Sequence, residues 1–206
     1  MDTTQEIPPA YLAKWQKTLD ILAELFEVPA ALIMRVWPEQ IEVLLASLGE
    51  SNPYEEHEKA ELGTGLYCET VMATRSPLLV PNALADPAWD HNPDLKLNMV
   101  NYLGVPLIWP DDEIFGTICV LDAKTRTYSE QYQMLLWHFK EVIEADFRKI
   151  LHPADAGGID EQRIKLLEGK IEAMLGELGR ALRDGDRTEA LVPRVPREAV
   201  EAWPIK

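Results

Sequence analysis

The sequence predicts an α/β domain of the α+β type, with a central, mostly antiparallel sheet flanked by helices and a helical C-terminal appendage. The clearest observation behind this is the stretch from Tyr102 to Asp122, YLGVPLIWPDDEIFGTICVLD. Two apolar runs, Tyr102 to Trp109 and Ile114 to Leu121, flank the polar break Pro110-Asp111-Asp112-Glu113. Pro and Asp supply turn chemistry, and Val, Ile, Thr, Phe and Tyr suit strands, so the stretch is a hairpin. Its strands are too apolar to leave one face in water, which places them at the centre of a sheet covered by helices. The second observation is amphipathic helical spacing near both ends of the chain. The third is a second hairpin pattern between them.

The first helix follows Pro8-Pro9. Leu12, Trp15, Leu19, Leu22 and Phe26 fall on one face, and Pro29 ends the pattern. That face either packs on the sheet or forms part of a dimer seam. Ala30 to Val36 and Ile41 to Leu48 make the second hairpin around Trp37-Pro38-Glu39-Gln40. Gly49 to Glu61 is a polar connection with room for a short helix, and His57 within its acidic run is a surface residue. Gly63-Thr64-Gly65 matches neither a Walker loop nor a dinucleotide fingerprint and is a tight entry to a helix of about three turns ending near Arg75. Leu78-Leu79-Val80 is a short strand closed by Pro81. Asn82 to Asp94 is a loop rich in Asn, Asp and Pro, of a length that is usually functional or mobile. Asp94 would cap a short helix through Val100. Gly104 and Gly116, inside the central strands, mark a bulge or a close approach.

After Asp122, Thr127 and Glu130 have the form of a capping box. A long helix follows, with Tyr132, Leu135, Leu136, Phe139, Val142, Ile143, Phe147 and Ile150 on its apolar side. The resulting organisation is a domain over residues 10–151, a linker over 152–159, an amphipathic helix over 160–183 and a tail over 184–206. In the amphipathic helix, Ile164, Leu167, Ile171, Met174, Leu178 and Leu182 form a short heptad-like stripe. It must be buried against the same domain, a second copy or a signalling partner. Trp203 in the tail is a candidate docking residue.

Composition bounds the function. With 47% hydrophobic and 27% charged residues the chain is of ordinary globular type. Its net charge of −15 disfavours nucleic acid and anionic membranes as partners. The acidic N-terminus MDTTQEIPPA is no secretory signal, and no apolar run approaches the roughly 20 residues of a membrane span. The two cysteines, Cys68 and Cys119, read as free thiols in a reducing compartment, so a cytoplasmic location is expected. The four histidines show no metal-site spacing, and there is no Ser-His-Asp order or Walker lysine. No catalytic residue and no metal ligand is therefore assigned.

The run LGVPL, a polar turn and IFGTICVLD together resemble the central hairpin of a GAF domain, the small-molecule sensory module of signalling proteins. The upstream run ELGTGLYCETVMATRSPLLVPNALADPAWDHNPDL is similar to the helix, strand and loop that cover that family's ligand cavity. The resemblance covers roughly residues 10 to 150. It implies a sheet of about six strands, with a cavity covered by Leu66 to Met72 and the loop Pro81 to Met99 and floored by Tyr102, Gly104 and Pro106. Tyr67, Cys68, Asn82, Trp89 and Tyr102 would be the members able to hold a small molecule, whose identity is open; the other possibility is that these side chains fill a closed core. The resemblance implies a non-catalytic sensory or regulatory module that binds a small molecule or senses redox state. It would signal through its terminal helices, as a homodimer or to a protein partner.

Two departures bear on the alternatives. GAF-type methionine sulfoxide reductases carry a set of cysteines on the loops over the pocket, and Pro81 to Asn101 contains none. A thiol enzyme of that type would have to act at Cys68, near a helix start, while Cys119 reads as a buried small hydrophobe. A bilin photoreceptor's attachment motif is absent, although Cys68 and His91 are the residue types it would use, and the cyclic-nucleotide signature is missing. A pure oligomerisation module with a vestigial pocket is the remaining reading.

Overall fold

The computed structural model describes residues 5–152, 162, 165–174 and 176. Six strands form one sheet in which every neighbouring pair is antiparallel. In chain order the elements are α1 (Pro9–Phe26), β1 (Ala30–Val36), β2 (Gln40–Ala46), β3 (Lys59–Glu61), α2 (Tyr67–Thr74), β4 (Leu78–Val80), β5 (Asn101–Ile108), β6 (Ile114–Asp122) and α3 (Glu130–Leu151). The sheet order is β3-β2-β1-β6-β5-β4, which puts the apolar hairpin β5–β6 in the interior.

The sheet separates two apolar cores, and strand alternation decides which side chain enters which. On one face α1 and α3 bury Trp15, Leu19, Leu22, Phe26, Leu136 and Phe147 against Ile33, Leu103, Val105, Ile118 and Val120. On the other, α2 and the loop after β4 cover Leu32, Met34, Ile41, Val43, Tyr102, Cys119 and Leu121. Gly116 sets the phase in β6. Its partner on β5 is Leu107, yet Ile114 pairs with the next residue, Ile108, so Phe115 is an extra residue. The bulge sends Phe115 to the α1–α3 core and Thr117, Cys119 and Leu121 to the opposite face. Only glycine fits, because a Cβ at position 116 would lie 1.9 Å from the Met34 carbonyl oxygen.

The α1 face predicted from spacing packs on the sheet, and Trp15 Nε1 donates to Asp146 Oδ2 of α3 at 2.9 Å. Several boundaries differ from expectation. The connection after β2 holds no helix; Lys59–Glu61 pairs with β2 as an edge strand instead. α2 has eight residues, about two turns, because Gly65 at φ +88° delays its start and Arg75 in the left-handed region closes it. Thr127 does not begin α3. Tyr128 dips between Phe26 and Tyr132 in the core, and the helix starts after Ser129. In the appendage, residues 165–174 are helical, and Leu167 and Ile171 join the α1–α3 core with Met174 packed against it. The expected linker after His152, the stripe positions Ile164, Leu178 and Leu182, and the tail with Trp203 lie outside the described residues.

Candidate functional site

A cavity of about 230 Å³ lies on the α2 side of the sheet. Its floor is Leu32 and Met34 of β1, Ile41 and Val43 of β2, and Cys119 and Leu121 of β6. Its cover is Leu66 and Cys68 at the entry to α2, Tyr54 and Glu58–Ala60 before and within β3, and Pro93, Asp94, Lys96 and Leu97 of the loop after β4. Most of this lining is apolar.

The entry to α2 is organised by Glu69. Its carboxylate accepts the backbone N–H groups of Gly63 (2.7 Å), Thr64 (3.1 Å), Gly65 (3.0 Å) and Leu66 (3.1 Å). Gly63 and Gly65, at φ +81° and +88°, turn these donors inward. The protein's own carboxylate thus fills the anion nest that Gly-Thr-Gly builds. The loop after β4 contains three single 3-10 turns, Ala83–Ala85, Pro87–Trp89 and Pro93–Leu97. Asn82, Asp86 and Asn92 cap them by accepting from Leu84, Ala88 and Asp94 N–H groups. Asn101 ties the loop down, its Nδ2 donating to the carbonyls of Val80 (2.9 Å), Pro81 (3.2 Å) and Arg126 (3.0 Å).

Asn92, not Asp94, is therefore the cap of the last turn, and this leaves the Asp94 carboxyl for the cavity. Asp94 is 8% exposed, and its Oδ1 accepts from Tyr54 OH at 2.8 Å. Burial, reinforced by the negative charge of Glu58 and offset in part by the Tyr54 hydrogen bond, pushes Asp94 up to about 6. Burial raises the Tyr54 phenol well above its ordinary value, and the Asp94 charge adds to this. Glu58, Lys59 and Lys96 stand around the mouth, all three exposed.

Two thiols meet where the cover reaches the floor. Cys68 Sγ accepts from Thr117 Oγ1 at 3.3 Å and lies 3.5 Å from Tyr102 OH. Cys119 hydrogen-bonds to it and both are free. The Cys68 thiol is lowered, first by the hydrogen bond from Cys119 and then by Thr117 and Tyr102, against the opposing cost of burial. Burial and the neighbouring Cys68 push Cys119 well up. A polarised thiol pair, rather than a helix start alone, is the chemistry present.

Of the five residues singled out from sequence, Cys68 lines the cavity. Tyr67, Trp89 and Tyr102 instead pack on one another beside it, with Tyr67 5.1 Å from Trp89 and 4.9 Å from Tyr102. Tyr102 lies back across Gly104, where a Cβ would come 2.1 Å from its hydroxyl oxygen. These rings fill the β5 side, so the open space falls over β1, β2 and β6. Tyr67 OH donates to the Met99 carbonyl, which fixes the loop. Asn82 serves as a cap, away from the cavity. Sequence reasoning missed Tyr54, Asp94 and Cys119. Strand alternation puts Cys119 on the same face as Thr117, but which face that is depends on the bulge before Gly116; no local signal marks Tyr54. No cluster of three or more metal-ligating side chains occurs among the described residues. No helix among them is long and apolar enough to cross a membrane.

The GAF domain family model matches residues 13–140. Solved structures share the fold at low identity. Free methionine-R-sulfoxide reductase from Neisseria meningitidis, in complex with its substrate, aligns with a TM-score of 0.58 at 14% identity over 69% of this chain and 81% of that one. The blue-light absorbing form of the Thermosynechococcus elongatus PixJ GAF domain aligns at 0.52 and 18% identity over 82% of this chain and 96% of that one. The GAF domain of an Acinetobacter phosphoenolpyruvate-protein phosphotransferase aligns at 0.52 and 16% identity over 70% and 84%. No curated protein matches the sequence.

Proposed function

Because the chain belongs to the GAF domain family, we propose that it is a non-catalytic sensory or regulatory module that holds a small molecule in the cavity over β1, β2 and β6. The observation that carries this is the cavity itself: an apolar space beside a close-packed core, with one buried carboxyl and two thiols converging on it. Folded cores are packed to leave few voids larger than a water molecule. An apolar pocket with a few polar groups is the common design of a ligand site. Its size limits the occupant. A cavity of 150 Å³ accepts benzene, so about 230 Å³ suits a molecule of roughly ten non-hydrogen atoms. A tetrapyrrole of the kind bound by the phycocyanobilin-bound GAF domain from a cyanobacterial phytochrome does not fit, and His91 points to solvent with its side chain 95% exposed.

The signal would leave through the terminal helices of a cytoplasmic homodimer or pass to a protein partner. α1 and α3 pack on the reverse face of the same strands that floor the cavity. A ligand that favours one setting of those strands would bias the helices. Mass spectrometry of the protein purified from its own cells tests the reading. A small adduct present under native conditions and lost on denaturation is the expected result; a bare mass in both overturns it.

The pairing of Cys68 with Cys119 favours a second reading, a thiol-dependent small-molecule enzyme acting at Cys68. Two thiols can reduce a sulfoxide to a sulfide, yielding one disulfide and one water. Turnover of free methionine sulfoxide with a thiol reductant, lost in Cys68→Ser, would establish it, and no turnover by the unaltered protein would remove it.

A further inference from the structure

We propose that the cavity selects a small molecule with an apolar body and one protonated amine, and that Asp94 is the counter-ion for that amine. This rests on the reading of the cavity as a ligand site and names the class of ligand.

Three observations lead there. First, the lining is apolar apart from a small set of groups, and of the charged ones Asp94 alone is buried. Glu58, Lys59 and Lys96 are at the rim and exposed. Second, the carboxyl is only half used. Oδ1 accepts from Tyr54 OH, Oδ2 takes no hydrogen bond among the described residues, and no described cation pairs with the group. Buried carboxylates are ordinarily paired and hydrogen-bonded, so one open to a cavity is short of a donor. Third, the sign is set. A neutral occupant would leave the carboxylate desolvated and an anionic one would be repelled by it. An ammonium supplies both the charge and the missing donors. The protein's net charge of −15 adds long-range attraction for a cation.

The local loop is built to present this group. Asn92 takes the cap of the 3-10 turn, accepting from Asp94 N–H at 2.8 Å, and Met99 N–H donates to the Asp94 carbonyl at 3.0 Å. The backbone around Asp94 is thereby fixed while its side chain crosses to Tyr54 on the far side of the mouth. The apolar body of the ligand would lie over Leu32, Val43 and Leu121, with its amine at the Asp94 end.

The groups facing Asp94 can be enumerated. Tyr54 comes from the connection before β3 and Glu58 and Lys59 from its edge. Tyr67 and Cys68 come from α2, Cys119 from β6, and Lys96 from the same 3-10 turn. Tyr54, Tyr67 and Cys119 are all raised and stay neutral at neutral pH. Cys68 is lowered instead, but it hydrogen-bonds to Thr117, Tyr102 and Cys119 and not to Asp94, so the amine's advantage should follow the ionisation of Asp94 and fade as pH falls through about 6.

Calorimetric titration with an isosteric pair, cyclohexylmethylamine and cyclohexylmethanol, tests this on the full chain. The expected result at pH 7.5 is binding of the amine at least about tenfold tighter than the alcohol, the scale of one charge-assisted hydrogen bond. Asp94→Asn should abolish that preference and retain alcohol binding, which also shows the variant folded. Glu130→Gln, an exposed carboxylate at the start of α3 outside the cavity lining, should leave the preference intact. Equal binding of the two probes overturns the amine assignment while the cavity remains a ligand site. A preference that survives Asp94→Asn but is lost in Glu58→Gln assigns the charge to the rim and overturns it too. Tighter binding of cyclohexylacetate than of the amine would make the site an anion site governed by Lys59 and Lys96. Binding of neither probe counts against the amine reading, and the adduct measurement then decides separately whether the cavity holds any ligand.

Discussion

Asp94 illustrates how a single side chain can be costly to the fold and useful to a site. An aspartate in the unfolded chain ionises near 3.8, whereas in the folded protein burial raises it to about 6. The folded state therefore holds its proton more tightly than the unfolded state between those values. Stability falls as pH rises through this window, and above it the penalty is fully present. For a buried group raised from 3.8 to about 6, that penalty is about 3 kcal/mol. Asp94→Asn, which keeps the size and an acceptor for Tyr54, should raise the midpoint of thermal unfolding at pH 7.5 and leave it nearly unchanged at pH 4. A lower midpoint at pH 7.5 would mean that the carboxylate is paired in a way that stabilises the fold. Gly116 shows the opposite economy, a residue whose value lies in having no side chain. Gly116→Ala would push a methyl into the Met34 carbonyl at 1.9 Å and strain the bulge. The expected loss is about 3 kcal/mol in chemical denaturation. A loss under about 0.5 kcal/mol, the range of ordinary surface changes, would show that the bulge can relax.

At the scale of elements, α2 is held by its entry more than by its length. An isolated helix of eight residues is not stable in water, so its docking and its cap decide whether it forms. Four backbone N–H groups converge on Glu69. Glu69→Ala leaves them to solvent and should cost about 2 kcal/mol. Hydrogen exchange should then accelerate over residues 63–74 while α3 keeps its protection; unchanged exchange there would show that packing of Tyr67 and Val71 suffices. Elements of this kind also mark what the sequence could and could not reveal. The strands of the central hairpin were legible as unbroken apolar runs on either side of a turn, and the faces of α1 and α3 because burial repeats along them at a helical period. β3 was not, since three residues, Lys59–Glu61, carry no period and become a strand only by pairing with β2. The start of α3 was misplaced because Thr127 and Glu130 match a capping pattern, whereas the tertiary packing of Tyr128 keeps the chain extended past it. The cavity was legible only in outline. Cys68 could be weighed on its own, but its partnership with Cys119 needs the phase shift at Gly116. The role of Asp94 needs Tyr54, 40 residues away in sequence, to be brought across the mouth.

For the whole molecule, the sheet works as a partition. One face is closed by α1, α3 and part of the C-terminal helix, the other by α2 and a loop with room left inside. Leu167 and Ile171 belong to the closed face, so part of the heptad-like stripe is buried within the domain rather than in a second copy. Leu167→Asp places a charge in that core and should lower stability by about 3 kcal/mol. It should also weaken probe binding in the cavity, because the α1–α3 face packs on the reverse of the strands that floor it; unchanged binding would mean that the two faces are not coupled. Passage of a ligand's effect from one face to the other through the shared strands is what the functional account depends on. The measurement that tests it most directly is a methyl NMR titration with cyclohexylmethylamine. The account predicts the largest shifts at Leu32, Met34, Val43, Leu66 and Leu121 in the cavity, with smaller shifts at Leu19, Leu22 and Leu136, whose helices pack on the reverse of the same strands. Shifts that stop at the cavity and leave the α1–α3 face unmoved, or none anywhere at saturating probe, would contradict it.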